Sequence, residues 1–234
     1  MILQASLDTV PSKLAQDLYS DVFRHDYAGT GFGLIQFDTG VASKPFRQFM
    51  ISMQLEFHQL VRSLRGLRLR FQSLIRFDQQ TTTKFHLDGG PEESILMLGY
   101  EPTEIKSSVA LADYSRAASD LGLTPQQFMD QHNPMFVAGE KLLQPYVHRV
   151  NAFDESRFQI LFINNSRLPR EAGGLHSLGV LHQATILNPD PVKSRVINST
   201  MMAVVSSDAP DAVSAAEISE FAITDAVARR NYAA

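Results

Sequence analysis

At Gly66 the sequence changes period. Before it, Phe46, Phe49, Met50, Met53, Phe57, Leu60, Val61 and Leu64 recur three and four residues apart, a spacing that predicts an amphipathic helix over 44–65. Ser43 is placed to cap that helix, Pro45 falls in its first turn, and Gly66 lies just past its end. After Gly66, LRLRFQSLIRF (67–77) alternates apolar and polar residues and carries β-branched and aromatic side chains, the pattern of a strand. A long one-faced helix running directly into strands must be set against a sheet. The apolar stripe therefore reads as scaffold packing and not as a cofactor box.

The rest of the chain extends this pattern. Residues 11–24 read as a helix opened by Pro11 and Ser12, and GFGLIQFDTG (31–40) as a short strand between glycines. TTTKFHLD (81–88) and SILMLGYEP (94–102) read as further strands. Residues 103–145 read as a helical insertion: SSVALADYSRAASDLG as one helix, TPQQFMDQH as another with Thr124 as cap and Pro125 first. YVHRVNAF and RFQILFINN are expected to form a hairpin across Asp154–Ser156. LGVLHQATIL (178–187) and SRVINSTMMAVV (194–205) follow, and a closing helix begins at Ser214 and Glu217, which fit a capping box. The expectation is one domain over 1–234: N-terminal support (1–66), a β core (67–205) interrupted at 103–145, and a C-terminal helix (206–234). Consecutive strands without regular intervening helices point to a mainly β fold with flanking helices (α+β), a sandwich or barrel, and away from a Rossmann-type sheet. No G-x-G-x-x-G, G-x-x-x-x-G-K-[ST] or G-x-S-x-G occurs.

Composition narrows the chemistry. The absence of cysteine removes disulfides, thiolate zinc sites and cysteine nucleophiles. A formal net charge of −4 with scattered Lys and Arg argues against a nucleic-acid partner. The N-terminal MILQASLDTVPSK lacks a signal-peptide pattern, and no apolar run approaches the ~20 residues that span a bilayer. A cytoplasmic protein without a membrane partner is the expectation; its oligomeric state is not readable.

The chemistry-bearing stretch is FHLDGG. Side chains two apart on a strand share a face, so His86 and Asp88 converge, together with Thr82 and Lys84. An imidazole and a carboxylate so placed are two-thirds of the 2-His-1-carboxylate set that binds Fe(II) with open positions. The following glycines admit a close neighbour. The pair alone is equally a strand end running into a turn, since seven histidines and 25 acidic residues in 234 give roughly 0.7 His-x-acid pairs by chance. Downstream, His182 stands inside an otherwise apolar strand. Arg195 opens the last core strand and can grip a carboxylate bidentately, with Ser199 on the same face. Each alone reads as easily as a core histidine, a solvated cation and a polar filler.

Taken together, FHLD, the histidine strand and SRVINS, with the long helix beside the strands, resemble the Fe(II)/2-oxoglutarate-dependent oxygenase superfamily over roughly residues 30–205. The resemblance implies a double-stranded β-helix (jelly-roll) core and iron held by His86, Asp88 and His182. It also implies 2-oxoglutarate as cosubstrate with its far carboxylate on Arg195, helped by Ser199, and O₂ as oxidant. The implied activity is a dioxygenase, a hydroxylase acting on a small molecule such as an amino acid or related metabolite, with release of succinate and CO₂. Glu93, Tyr100 and the 103–145 helices would border the substrate pocket, either as a lid or as outer packing. Two departures stand out: Ile197 occupies the place where the family often has serine after Arg-x, and the interval from Asp88 to His182 is long. His176, in GGLHSLG, is therefore a rival third ligand. A cupin-like metalloenzyme (an isomerase or 2-oxoglutarate-independent dioxygenase) and a non-catalytic jelly-roll binding module are the competing readings.

Overall fold

The computed structural model describes residues 1–170 and 176–229. The chain runs β1 (Ile2–Ala5), α1 (Pro11–Val22), β2 (Phe32–Phe37), α2 (Ser43–Arg65), β3 (Arg68–Asp78), β4 (Ser94–Tyr100) and β5 (Ser107–Ala112). Three short helices follow, α3 (Tyr114–Asp120), α4 (Pro125–Gln131) and α5 (Val137–Leu143). The remainder is β6 (Val147–Arg149), β7 (Gln159–Asn164), β8 (Leu181–Ile186), β9 (Val196–Val205), α6 (Ala215–Ile223) and β10 (Ala228–Arg229). The strands form a seven-stranded sheet, ordered β1-β2-β7-β4-β9-β3-β10, and a three-stranded sheet, β6-β5-β8. The outer pairs β1/β2 and β10/β3 are parallel and the other pairs antiparallel. The fold is thus β-rich and mixed.

The helix read from the sequence forms, and its apolar stripe does what the period requires. Phe46, Phe49, Met50, Met53, Phe57 and Val61 are buried with Phe23 of the α1 end, Phe221 of α6 and one face of the large sheet. Gly66 ends α2 with φ +66°, the left-handed conformation that Gly adopts without Cβ strain. Gly99 on β4 lets α2 sit close, because a Cβ there would collide with Met50 and Phe46. The opposite face of the large sheet contributes Leu34, Phe77, Leu98, Tyr100, Leu161 and Ile197 to a second core, shared with Val109 and Leu111 of β5. A bulge in β3 between Phe71 and Ser73 shifts the alternation. Leu69, Phe71 and Leu74 consequently face the helices, whereas Ile75 and Phe77 face the small sheet. A third cluster packs α3 and α4 on the outer face of the small sheet, around Phe85, Tyr114, Phe128 and Leu181.

Several expectations are corrected. TTTKFHLD is no regular strand: only His86 forms a β-bridge, to His182. Thr82 and Thr83 hydroxyls instead accept from the Ile186 and Ala184 amides, so the segment lies along β8 with side chains standing in for backbone acceptors. SSVALA is β5 and not the start of a helix; its alternating Val109 and Leu111 are claimed by the inter-sheet core. The expected hairpin is absent, since β6 pairs with β5 while β7 lies between β2 and β4. Ser43 does not cap α2. Its hydroxyl donates to Glu101 at 2.6 Å and accepts from Arg47. The Thr124 cap with Pro125 first, and the Ser214/Glu217 capping box, are both present. The last five residues of the expected C-terminal segment, 230–234, lie outside the described ones.

Candidate metal centre

The bridge between His86 and His182 is what builds the site. Each residue's amide donates to the other's carbonyl, at 3.1 and 3.0 Å, in the reciprocal pattern of an antiparallel pair. The rings face each other with centroids 4.2 Å apart. Asp88 closes the group, with Oδ1 3.4 Å from His86 Nε2 and 3.8 Å from His182 Nε2. One ligand atom from each of the three residues lies within 4.8 Å of the others, the spacing that a single ion can bridge.

The surroundings prepare these groups for metal. The Lys84 carbonyl accepts a hydrogen bond from His86 Nδ1 at 2.7 Å. That bond fixes the orientation of the ring and turns Nε2 towards Asp88, in the manner of an outer partner orienting a metal ligand. Burial opposes a proton on His86, but hydrogen bonds to Asp88 and Lys84 outweigh it and its pKa is raised. His182 behaves oppositely. Burial, with the neighbouring His86, lowers its pKa to about 4, so its imidazole is neutral at neutral pH with a lone pair to give. Its Nδ1 is buried without a hydrogen-bond partner. Such orphaned groups are uncommon in interiors. Asp88 is held through its backbone: its amide donates to Asn165 Oδ1 at 2.9 Å, and its carbonyl accepts from Asn165 Nδ2 at 3.1 Å.

These three side chains line one cleft, of about 420 Å³ empty volume, with Gln79, Thr83, Leu98, Tyr100 and Ile197. Arg195 does not line this cleft but lies behind two residues that do, Gln79 and Tyr100. It is 1% exposed, which rules out a solvated strand-end cation. Its Nε donates to Ser107 Oγ at 3.1 Å, its Nη1 to Gln79 Oε1 at 2.6 Å, and its guanidinium stacks 5.1 Å from the Tyr100 ring centroid. Nη2 is buried with no partner. Burial lowers its pKa, opposed chiefly by Tyr100, and a guanidinium stays charged through any such shift. No carboxylate pairs with it among the described residues. A buried cation with an unused donor is suited to an incoming carboxylate. In this state Gln79 occupies Nη1, so only Nη2 is on offer.

The other residues singled out in the sequence divide. Ser199 is on the inter-sheet face of β9, opposite Leu98 and Ile75, but is not among the residues lining the cleft. His176 lies away from the cluster, its Nδ1 3.5 Å from Glu93 Oε2. Tyr100 borders the cleft as expected, whereas Glu93 does not: it accepts a bidentate pair from Arg65 and two bonds from Ser177. Of the double glycine, Gly90 has Met201 3.2 Å from where its Cβ would be, while Gly89 has open space. Asn165, Gln79 and Ser107 escaped the sequence reading. Their one signal is position, as polar residues at the ends of strands, and most residues so placed are ordinary turn formers.

A larger and more open cleft of about 1000 Å³ empty volume lies between β3 and α6. It holds no histidine and no group of convergent metal ligands among the described residues.

No protein-family model matches the chain, and no curated protein matches it. A solved structure, "Crystal structure of AAD-2 in complex with Mn(II) and N-oxalylglycine", aligns over 91% of this chain and 96% of that one, with 11% identity and a TM-score of 0.38. At that level of likeness the chain's own residues, not the neighbour, carry the functional reading.

Proposed function

We propose that this protein is an Fe(II)- and 2-oxoglutarate-dependent oxygenase that hydroxylates or otherwise oxidises a small molecule, an amino acid or related metabolite. One observation carries the reading: a His-Asp-His cluster on two distant segments opens into a cleft lined by Gln79 and Tyr100, and behind those two side chains lies a buried arginine with an unpaired donor. The two facing sheets are read, within this proposal, as a double-stranded β-helix. Its metal ligands are His86, Asp88 and His182, and its cosubstrate anchor is Arg195, with Ser199 in support.

When bound, Fe(II) with 2-oxoglutarate and O₂ supplies the oxidation, yielding succinate, CO₂ and an oxygenated substrate. The chain's part is to hold, orient and exclude. His86 and His182 present neutral nitrogens and Asp88 a carboxylate, leaving further coordination positions unclaimed by protein. Arg195, released on one side from Gln79, would receive the far carboxylate of the cosubstrate. Tyr100, Leu98 and Ile197 wall one side of the cleft.

Anaerobic titration of the protein with Fe(II) and 2-oxoglutarate tests the proposal. A weak visible charge-transfer band and slow substrate-independent succinate formation are expected. Absence of both sinks it. A cupin-like enzyme has no use for Arg195 and would show no 2-oxoglutarate dependence that Arg195 controls, whereas a non-catalytic module binding a carboxylate or sugar would take up no iron on anaerobic reconstitution.

A further inference from the structure

A second groove meets the metal centre at His86. It runs between the 85–87 segment and the α3–α4 side of the molecule, with about 630 Å³ of empty volume. His86 lines both this groove and the cleft that holds Asp88 and His182, so a molecule lying in it would reach the metal cluster from one end. Its walls are about equally polar and apolar, the apolar part including Leu87, Met129 and Met135, and Met135 is 55% exposed. Its charged group is Arg167, and no acidic side chain lines it.

Arg167 is poorly used by the fold. Its hydrogen bond goes from Nη2 to the Asp88 carbonyl at 3.4 Å, a long contact, and no carboxylate pairs with it among the described residues. Arg167 is half-buried, and three other arginines contrast with it. Arg24, Arg65 and Arg76 each face a carboxylate at 2.6 to 3.1 Å. Nor is the groove's other hydroxyl free to serve an anion, because Tyr114 donates to the Ser166 carbonyl at 2.7 Å. A guanidinium with no carboxylate partner among the described residues, in a groove that also offers apolar surface, is an arrangement that recognises an anionic head on an apolar body.

We infer that this groove is the substrate subsite, and that it takes a small monocarboxylate with an apolar body, the carboxylate on Arg167 and the body against Leu87, Met129 and Met135. The inference rests on the oxygenase reading for its name as a substrate site, but the binding it asserts does not need metal. Flexible thioethers on one wall suit a range of chain shapes, so selectivity is expected for the charged head more than for the tail.

Metal-free, full-length protein is therefore the right sample, with ligand-observed saturation-transfer NMR and hexanoate and octanoate as probes, each against its amide. Both carboxylates are expected to bind, and the amides about tenfold more weakly, the worth of one charge-assisted contact. Arg167→Ala should abolish the preference for acid over amide, Arg167→Lys should retain part of it, and Arg195→Lys should leave it in place. Equal binding of acid and amide, no binding of either acid, or a preference that survives Arg167→Ala overturns the inference. So does a preference lost with Arg195→Lys, which would put the probes in the cosubstrate cleft. The Arg167 variants are also carried through the Fe(II)–2-oxoglutarate titration. Loss of the visible band there would assign Arg167 to the cosubstrate and overturn the subsite. A wild-type protein with no band at all removes the oxygenase reading and leaves the NMR result standing by itself.

Discussion

His86 and His182 exchange both backbone hydrogen bonds of an isolated bridge and hold their rings 4.2 Å apart. The two imidazoles are thus positioned by the main chain, not by their side chains' own preferences.

His182→Ala is expected to abolish Fe(II) or Mn(II) binding, read by calorimetry, while His176→Ala leaves it close to wild type. His176 sits against Glu93, apart from the cluster. The reverse result would assign the third ligand to His176.

Asn165→Ala should weaken metal binding by about tenfold or more without unfolding the protein. Asn165 ties down the amide and carbonyl of Asp88 and also donates to Ser94 Oγ at 3.1 Å, and loss of such outer partners typically costs 10–100-fold in affinity. Asn165→Asp keeps the acceptor but loses the donor, so an intermediate affinity is expected. Metal affinity equal to wild type in both variants would show that Asp88 needs no such clamp.

Arg195→Lys is expected to leave metal binding intact and to raise the 2-oxoglutarate concentration needed for half-saturation of the visible band by about tenfold or more. An ammonium lacks the planar fork that serves Gln79, Ser107 and a carboxylate together. Unchanged cosubstrate affinity would remove Arg195 from the site.

Glu93 makes the fold acid-sensitive. Burial favours its protonated form, but the Arg65 pair and the Ser177 bonds outweigh it and hold its pKa below the ordinary 4.5. A carboxylate with a depressed folded pKa gives its full stabilisation above its unfolded pKa and loses it as the pH falls through the folded one. Glu93→Gln should therefore cost about 3 kcal/mol at neutral pH, as expected for breaking a buried pair. The Tm gap to wild type should close as the pH falls below 4.5. A gap that does not change with pH contradicts this account.

What was legible in the sequence follows the range of the interactions involved. The α2 stripe as far as Val61, its Gly66 stop, the Thr124 cap and the Ser214/Glu217 box appear where read, while Leu64, assigned to the stripe, is exposed. Each is decided by residues within a turn or two, and the hydrogen bonds or packing involved are local. SSVALA was misread because a short apolar run with alanines satisfies both periods; contact with β6 and β8 settled it as a strand. TTTKFHLD was misread in the opposite sense, since its alternation is real but its threonine hydroxyls take over bonds that a strand's carbonyls would make.

The candidate site shows the same division. Local sequence determined that His86 and Asp88 share a face, that His182 stands among apolar residues, and that Arg195 precedes the last long strand. Only the tertiary structure decided that these segments meet. It brought His182, and not His176, to the pair, buried Arg195 with one donor unpaired, and set Asn165 behind Asp88. Propensity, period and capping act over a few residues and can be read along the chain. Convergence across the fold depends on which strand edges and apolar faces pair, and that is fixed by packing the whole chain at once.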